Sequence, residues 1–181
     1  MRRIARLFII VGIMLYAFGI YNIYLRENPK KLSFDNFAVA KQYTADSPRG
    51  KSIPVKVTIH SVGIDSPVYE TGMNGNIPAT IENGASYFSE SPLPGEKGNS
   101  IIYAHNWKNL FGPLVSVKPG DEVKVVYADG SSKIFEIEYV SVVDPSESTI
   151  IAPSKDARVT LYTCTGLFDS KRFVAVALLK S

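Results

Sequence analysis

The sequence predicts a mostly-β domain in which eight short strands close, or nearly close, into a barrel with short helical turns, preceded by one N-terminal apolar helix. Three observations carry this. From residue 53 onward, β-prone runs recur at roughly 53–60, 66–70, 78–81, 100–105, 122–128, 133–143, 158–164 and 172–179, separated by Gly-, Pro- and Asn-rich connections. No long amphipathic helical period interrupts them. Ahead of them, residues 7–25 carry no charge at all.

That charge-free stretch, LFIIVGIMLYAFGIYNIYL, is 19 residues long. At about 1.5 Å per residue it spans roughly 28 Å, close to the hydrocarbon thickness of a bilayer. Ala17-Phe18-Gly19 loosely fits a small-x-small cleavage site, so a signal peptide is the competing reading. The apolar run continues past it through Ile20, Tyr21, Ile23, Tyr24 and Leu25, with tyrosines where an interfacial belt would sit, and this favours an uncleaved anchor. Arg2, Arg3 and Arg6 in front are matched by Arg26, Lys30 and Lys31 behind. Keeping only a short tail inside makes the simpler topology a cytoplasmic N-terminus with the domain outside.

A linker follows from about 26 to 51, punctuated by Pro29, Pro48 and Gly50. Within it Ser33 is placed to cap a short helix with Phe34, Phe37, Ala38 and Lys41 on one face, ready to dock on the domain or the membrane; a partly ordered stalk is the alternative. In the domain, Ala128-Asp129-Gly130-Ser131 lies between two β-prone runs and signals a tight two-residue hairpin. After it, Phe135, Ile137 and Tyr139 alternate with Glu136 and Glu138, which predicts one buried and one wet face.

Composition excludes several function classes. Hydrophobic residues make up 45% and charged residues 20%, so the chain is neither disordered nor collagen-like. One Cys permits no internal disulfide framework, and two His with one Cys make a structural zinc site a poor fit. Residues 1–31 hold six Lys and Arg against Glu27, a surplus of +5 in a chain whose total is +3, which leaves −2 for the rest. Such a domain lacks the clustered positive charge that nucleic-acid binding needs.

Chemistry therefore has few places to reside. Cys164 closes the strand Arg158–Cys164 and runs into Thr165-Gly166, a strand end beside a glycine turn where a substrate backbone could approach. A thiol with an ordinary pKa near 8.5 needs an imidazole or another cation to act at neutral pH. His105 ends another strand, 100–105, and leads into Asn106-Trp107-Lys108-Asn109; His60, just before Val62-Gly63, has no other reactive group near it. Attack on an amide also needs a donor for the developing oxyanion. Arg172 opens the last strand eight residues after Cys164, a spacing that brings it back beside the thiol if the two strands are antiparallel neighbours. Arg158 would lie near the far end of the Cys strand, and Arg49 falls in the linker.

Thr160-Leu161-Tyr162-Thr163-Cys164 resembles the TLxTC signature of sortases, the membrane-anchored cysteine transpeptidases of bacterial surfaces. Residues 59–70 are similar to that family's early IPKIGVDxPVxE strand. Leu93-Pro94-Gly95-Glu96-Lys97-Gly98-Asn99 ahead of His105 resembles its PGExGN stretch, and Leu114 to Gly120-Asp121 its L-x-GD turn. The likeness covers about 53–179. It implies the eight-stranded sortase barrel, His105, Cys164 and Arg172 in the catalytic positions, and Thr163 bordering the substrate groove.

The same resemblance implies cleavage of an LPxTG-like C-terminal sorting motif on secreted proteins and transfer to an amine, such as a peptidoglycan precursor or another surface protein. Its partners would thus be these proteins and membrane lipid, with no nucleic acid. The chemistry needs no cofactor and no metal. The implied organisation is a cytoplasmic tail at 1–6, an anchor at 7–25, a linker at 26–51 and a catalytic domain at 52–181. His60-Ser61 and Asn106-Trp107 depart from common family residues. The missing C-terminal membrane segment and Asp-Pro-aromatic lid argue against the pilin-polymerising type. Two alternatives are another cell-wall cysteine transpeptidase, whose compact His-Gly-Cys-Arg type signature is absent, and a non-enzymatic tethered β-module derived from a sortase.

Overall fold

The computed structural model describes residues 2–26, 32–41 and 52–180. Pro29, Pro48, Arg49, Gly50 and the rest of the linker outside 32–41 lie outside the described residues. The apolar stretch forms one helix, α1 (Arg2–Arg26), and within it Ile4–Tyr24 is long and apolar enough to cross a membrane.

Among the described residues ten strands follow: β1 (Pro54–Ile59), β2 (Ile64–Thr71), β3 (Met73–Asn74), β4 (Ile77–Pro78), β5 (Ala85–Phe88), β6 (Gly98–Tyr103), β7 (Glu122–Tyr127), β8 (Ser132–Val143), β9 (Ala157–Thr165) and β10 (Lys171–Leu179). Eight of them close a barrel in the order β1-β2-β5-β6-β9-β10-β8-β7. Every neighbouring pair is antiparallel except β2 with β5 and β6 with β9. Closure removes the unpaired edges that an open sheet would present.

The sequence expectation of eight strands holds, but one member differs. The run at 78–81 supplies only β4, which pairs with β3 in a separate two-stranded sheet. The barrel strand is instead β5, whose Ala85-Ser86-Tyr87-Phe88 is buried throughout. It has too few residues and no alternation to announce itself, because both of its faces are covered.

Period-2 alternation sorts side chains between two apolar clusters. Val57, Ile59, Val125, Phe135, Leu161 and Ala175 fill the barrel interior. Phe88, Ile101, Tyr103, Tyr162, Val174 and Val176 point outward from the same wall and form a second cluster. This is why β10 reads as an unbroken apolar run: Arg172–Ala177 is buried on both faces. What covers its outer face is the segment 32–41. Leu32, Phe34, Phe37 and Ala40 are all buried there.

The segment docks as expected, but with a different face. Ser33 caps nothing; its hydroxyl donates to the Phe34 carbonyl (2.8 Å). Phe37–Lys41 is a 3₁₀ helix, and three residues per turn align 34, 37 and 40, leaving Ala38 exposed. The Lys41 side chain lies outside the described residues.

Two further differences have local causes. The β7–β8 connection uses three residues rather than two: the Gly130 amide bonds to the Tyr127 carbonyl (3.0 Å), and Tyr127 and Ser131 pair again (2.9 Å). Gly130 sits at φ 84°, the left-handed conformation this bulged turn demands. On β8, Phe135 and Ile137 are buried as expected, whereas Tyr139 is 38% exposed. The register against β10 shifts between Ile137 and Tyr139, so Glu138 bulges out, and Val140 packs against the core instead.

Candidate active site

Cys164 and Arg172 face each other directly across the β9–β10 ladder. The turn joining them, 166–170, is tight enough to hold Phe168 and Asp169 at φ 55° and 60°, conformations that side chains other than glycine rarely adopt. Arg158 pairs with Leu178 at the other end of the same two strands, as the spacing predicts, and is bonded to Asp156.

His105 reaches this end because β6 runs parallel to β9, with Tyr103 level with Tyr162, so the chain leaves β6 beside the Cys164 terminus. Its loop is fastened at several points. The Thr163 hydroxyl donates to the Ala104 carbonyl (2.8 Å). The Phe111 amide donates to the His105 carbonyl (3.2 Å), and the Leu110 and Gly112 amides both donate to the Trp107 carbonyl (2.9 and 2.8 Å). A side chain on Gly112 would meet that carbonyl oxygen at 2.6 Å, so only glycine permits the approach. The indole of Trp107 stacks on the His105 ring, with centroids 4.7 Å apart and planes at 14°.

His105, Asn106, Trp107, Cys164 and Asp169 line one small cavity of about 10 Å³. The thiol, imidazole and guanidinium are all buried, at 5%, 6% and 3% exposure. Among the described residues, Arg172 donates to backbone carbonyls: Nε and Nη2 to Ser33 (3.2 and 2.8 Å), and Nη1 to Asp169 (3.1 Å) and Lys171 (2.9 Å). Such bonds from a charged donor are stronger than neutral ones.

The structure thus brings His105, Cys164 and Arg172 to one end of the barrel and leaves His60 exposed on the turn between β1 and β2. The resemblance puts Thr163 at the edge of a groove. Here it is fully buried, with its hydroxyl on Ala104, because it has the inward parity of its partner Phe173. Three features escaped sequence reasoning: the stacking of Trp107, the presence of Asp169 in the cavity, and the carbonyl of Ser33 on Arg172. Of these only the last left a trace, in the 34-37-40 spacing. A roomier pocket of about 470 Å³ lies near the opposite end, among Leu93, Glu96, Tyr127, Asp129 and Lys133, with no thiol or imidazole in its lining.

Comparison with known proteins decides the family. The sortase domain model matches residues 57–180. The chain belongs to the sortase family of cysteine transpeptidases. It is 31% identical over 130 residues to sortase A of Listeria monocytogenes, a match covering 68% of this chain and 55% of that protein, so the chain spans about half the length of the curated relative. The solved structure of Listeria monocytogenes sortase A is similar at a TM-score of 0.58 and 27% identity, over 72% of this chain and 88% of the other. A lid mutant of sortase A from Corynebacterium diphtheriae is similar at 0.62 and 25%, over 80% and 91%. The sortase C2 of a Group B Streptococcus pilus island shares the fold at 0.63 and 20%, over 90% and 94%. Sortase folds of both the A and the C type therefore resemble this barrel.

Proposed function

We propose that this sortase is a single-pass membrane enzyme with its N-terminus in the cytoplasm and its catalytic domain outside. It cleaves an LPxTG-like sorting motif near the C-terminus of secreted proteins and transfers them to an amine on the cell surface. The observation that carries the reading is the convergence of His105 and Cys164 on one cavity with Arg172 opposite the thiol. In this scheme the Cys164 thiolate attacks the carbonyl carbon of the scissile amide, and Arg172 steadies the resulting oxyanion. Collapse breaks the C–N bond while the His105 imidazolium gives its proton to the departing amine. The acceptor amine then attacks the thioester carbonyl, passes its proton to His105, and expels the thiolate. Water in place of the amine gives hydrolysis.

The helix α1 supports the anchor, and the division proposed with it is a tail (1–6), an anchor (7–25), a linker (26–51) and a catalytic domain (52–181). The test is a peptide-cleavage assay with mass detection of the thioacyl adduct. Cys164→Ala is expected to abolish the adduct. His105→Ala should cost several orders of magnitude in turnover and His60→Ala almost nothing. Arg172→Ala should lose about 10²–10³ in rate, with Arg172→Lys recovering only part, because a lysine lacks the planar fork. Parent-like acylation by folded His105→Ala or Arg172→Ala would overturn the assignment.

A further inference from the structure

Leu167, Val142 and Phe168, exposed at 76%, 59% and 50%, are the three most exposed large apolar side chains among the described residues of the barrel domain. All three lie at the Cys164 end. Leu167 and Phe168 belong to the turn between β9 and β10, and Val142 adjoins Val143, which faces Arg172 across the β8–β10 ladder. Single apolar residues are ordinary on a surface, whereas several gathered at one end mark an interaction site. The turn also holds Phe168 and Asp169 at φ 55° and 60°, which side chains other than glycine rarely adopt, and packs neither Leu167 nor Phe168 into the domain in return. Its one charged side chain, Asp169, lines the cavity at Cys164, and at its root Lys171 is paired with Asp144 (2.6 Å).

The helix α1 indicates what this patch meets. The Phe168 ring approaches Phe18 of α1 edge-on, with centroids 6.4 Å apart. Phe18 lies six residues before Tyr24, where the stretch able to cross a membrane ends. At about 1.5 Å per residue, the contact is about 9 Å inside the apolar span. Apolar faces of interfacial segments sink to a similar depth, roughly 5–10 Å. The helix itself does not cover the patch, since Phe168 stays half exposed beside it and Leu167 more so. With α1 in a bilayer, the medium around it at this level is lipid.

We propose that the turn 166–170, with Val142 beside it, is a lipid-contacting tip that enters the outer leaflet next to α1. The inference rests on the reading of α1 as an uncleaved anchor and adds a second attachment, which fixes the attitude of the domain where the helix only tethers it. Cys164 lies three residues before Leu167, at most about 11 Å along the chain. A tip about 9 Å deep therefore holds the thiol close to the headgroup layer. Peptides held at the bilayer surface meet the thiol at its own level, and peptides free in solution gain nothing from the tip.

The full-length protein in phosphatidylcholine vesicles tests this. Phe168→Trp keeps an aromatic ring at the tip, and lipids brominated near the top of the acyl chain should quench its fluorescence about twofold more than that of the parent, whose only tryptophan is Trp107. The double variant Leu167→Ser, Phe168→Asn removes the apolar tip and puts at 168 a residue that tolerates positive φ. Its kcat/KM for an acylated LPxTG-like peptide in the same vesicles should fall about tenfold, while that for the soluble peptide in detergent changes less than about twofold. Flotation of the parent separates the two readings. A parent that stays in the aqueous fraction defeats the anchor and the tip together, whereas a floating parent with Phe168→Trp quenched no more than the parent defeats the tip alone. Equal losses on the two peptides would assign Leu167 and Phe168 to the peptide instead of lipid and overturn the tip, as would no loss on either. If neither parent nor variant cleaves either peptide, the transpeptidase reading fails and quenching alone decides the tip.

Discussion

Trp107 and Thr163 hold the same histidine from two directions, one by stacking on its ring and the other through the carbonyl that precedes it. Thr163→Val keeps the shape and removes the hydroxyl, leaving the buried Ala104 carbonyl short of a donor, at a cost of about 1–3 kcal/mol. The expected kinetic result is a several-fold fall in kcat with KM for the peptide changed less than twofold, measured beside the melting temperature. A rise in KM with kcat intact would instead return Thr163 to the groove. At this scale the sequence was most informative about Cys164 and Arg172, since both lie on neighbouring strands and strand arithmetic alone sets them opposite. It was silent on Trp107, because the loop that folds the indole back onto His105 is built from backbone bonds to 110, 111 and 112 that no local pattern encodes.

Strand β9 separates a chemical end from a structural one. At its start the Arg158 guanidinium beside Asp156 holds that carboxyl at about 2, against an ordinary value of 3.8. The folded state therefore prefers the ionised form. Its stabilisation is complete above about pH 4 and is lost as the pH falls toward 2. The pair is partly exposed, at 24% for Arg158 and 43% for Asp156, so solvent screening limits its contribution to at most about 1 kcal/mol. Arg158→Ala should accordingly lower the melting temperature slightly at pH 7, flatten the decline in stability between pH 4 and 2, and leave peptide turnover at the parent level; a large catalytic loss would transfer the oxyanion role away from Arg172. The expectations that failed at this scale have one cause. Alternation identifies a strand only when its two faces meet different surroundings, and β5 is covered on both, while the bulge at Glu138 exchanges the faces of β8 part-way along.

In the whole molecule the segment 32–41 follows α1 in the chain and sets the Ser33 carbonyl on Arg172. Only five residues separate Arg26 from Leu32, so a fully extended chain places Leu32 within about 22 Å of the end of α1. The Ser33 carbonyl accepts from Arg172, so with α1 as the proposed anchor the Cys164 end of the barrel is expected near the membrane and the Asp129 hairpin at the far end. Leu167, 76% exposed, marks the near end, where Phe168 also meets Phe18 of α1. In full-length Cys164→Ala protein reconstituted in vesicles, a fluorophore on Leu167→Cys should transfer energy strongly to acceptor lipids and one on Asp129→Cys weakly. Adding Phe34→Ala and Phe37→Ala should reduce the transfer from position 167. Equal transfer from both positions would contradict this orientation. The sequence by itself determined the apolar helix, the β class of the domain and the residues capable of thiol chemistry, because composition, periodicity and motif spacing are properties of the chain read in order. Only the tertiary structure decided that β5 completes the barrel and that Thr163 faces inward. It alone seated residues 32–41 against the outer wall, since barrel closure and the docking of the Ser33 carbonyl on Arg172 are contacts between positions up to 139 residues apart, and no local pattern records which distant surfaces will meet.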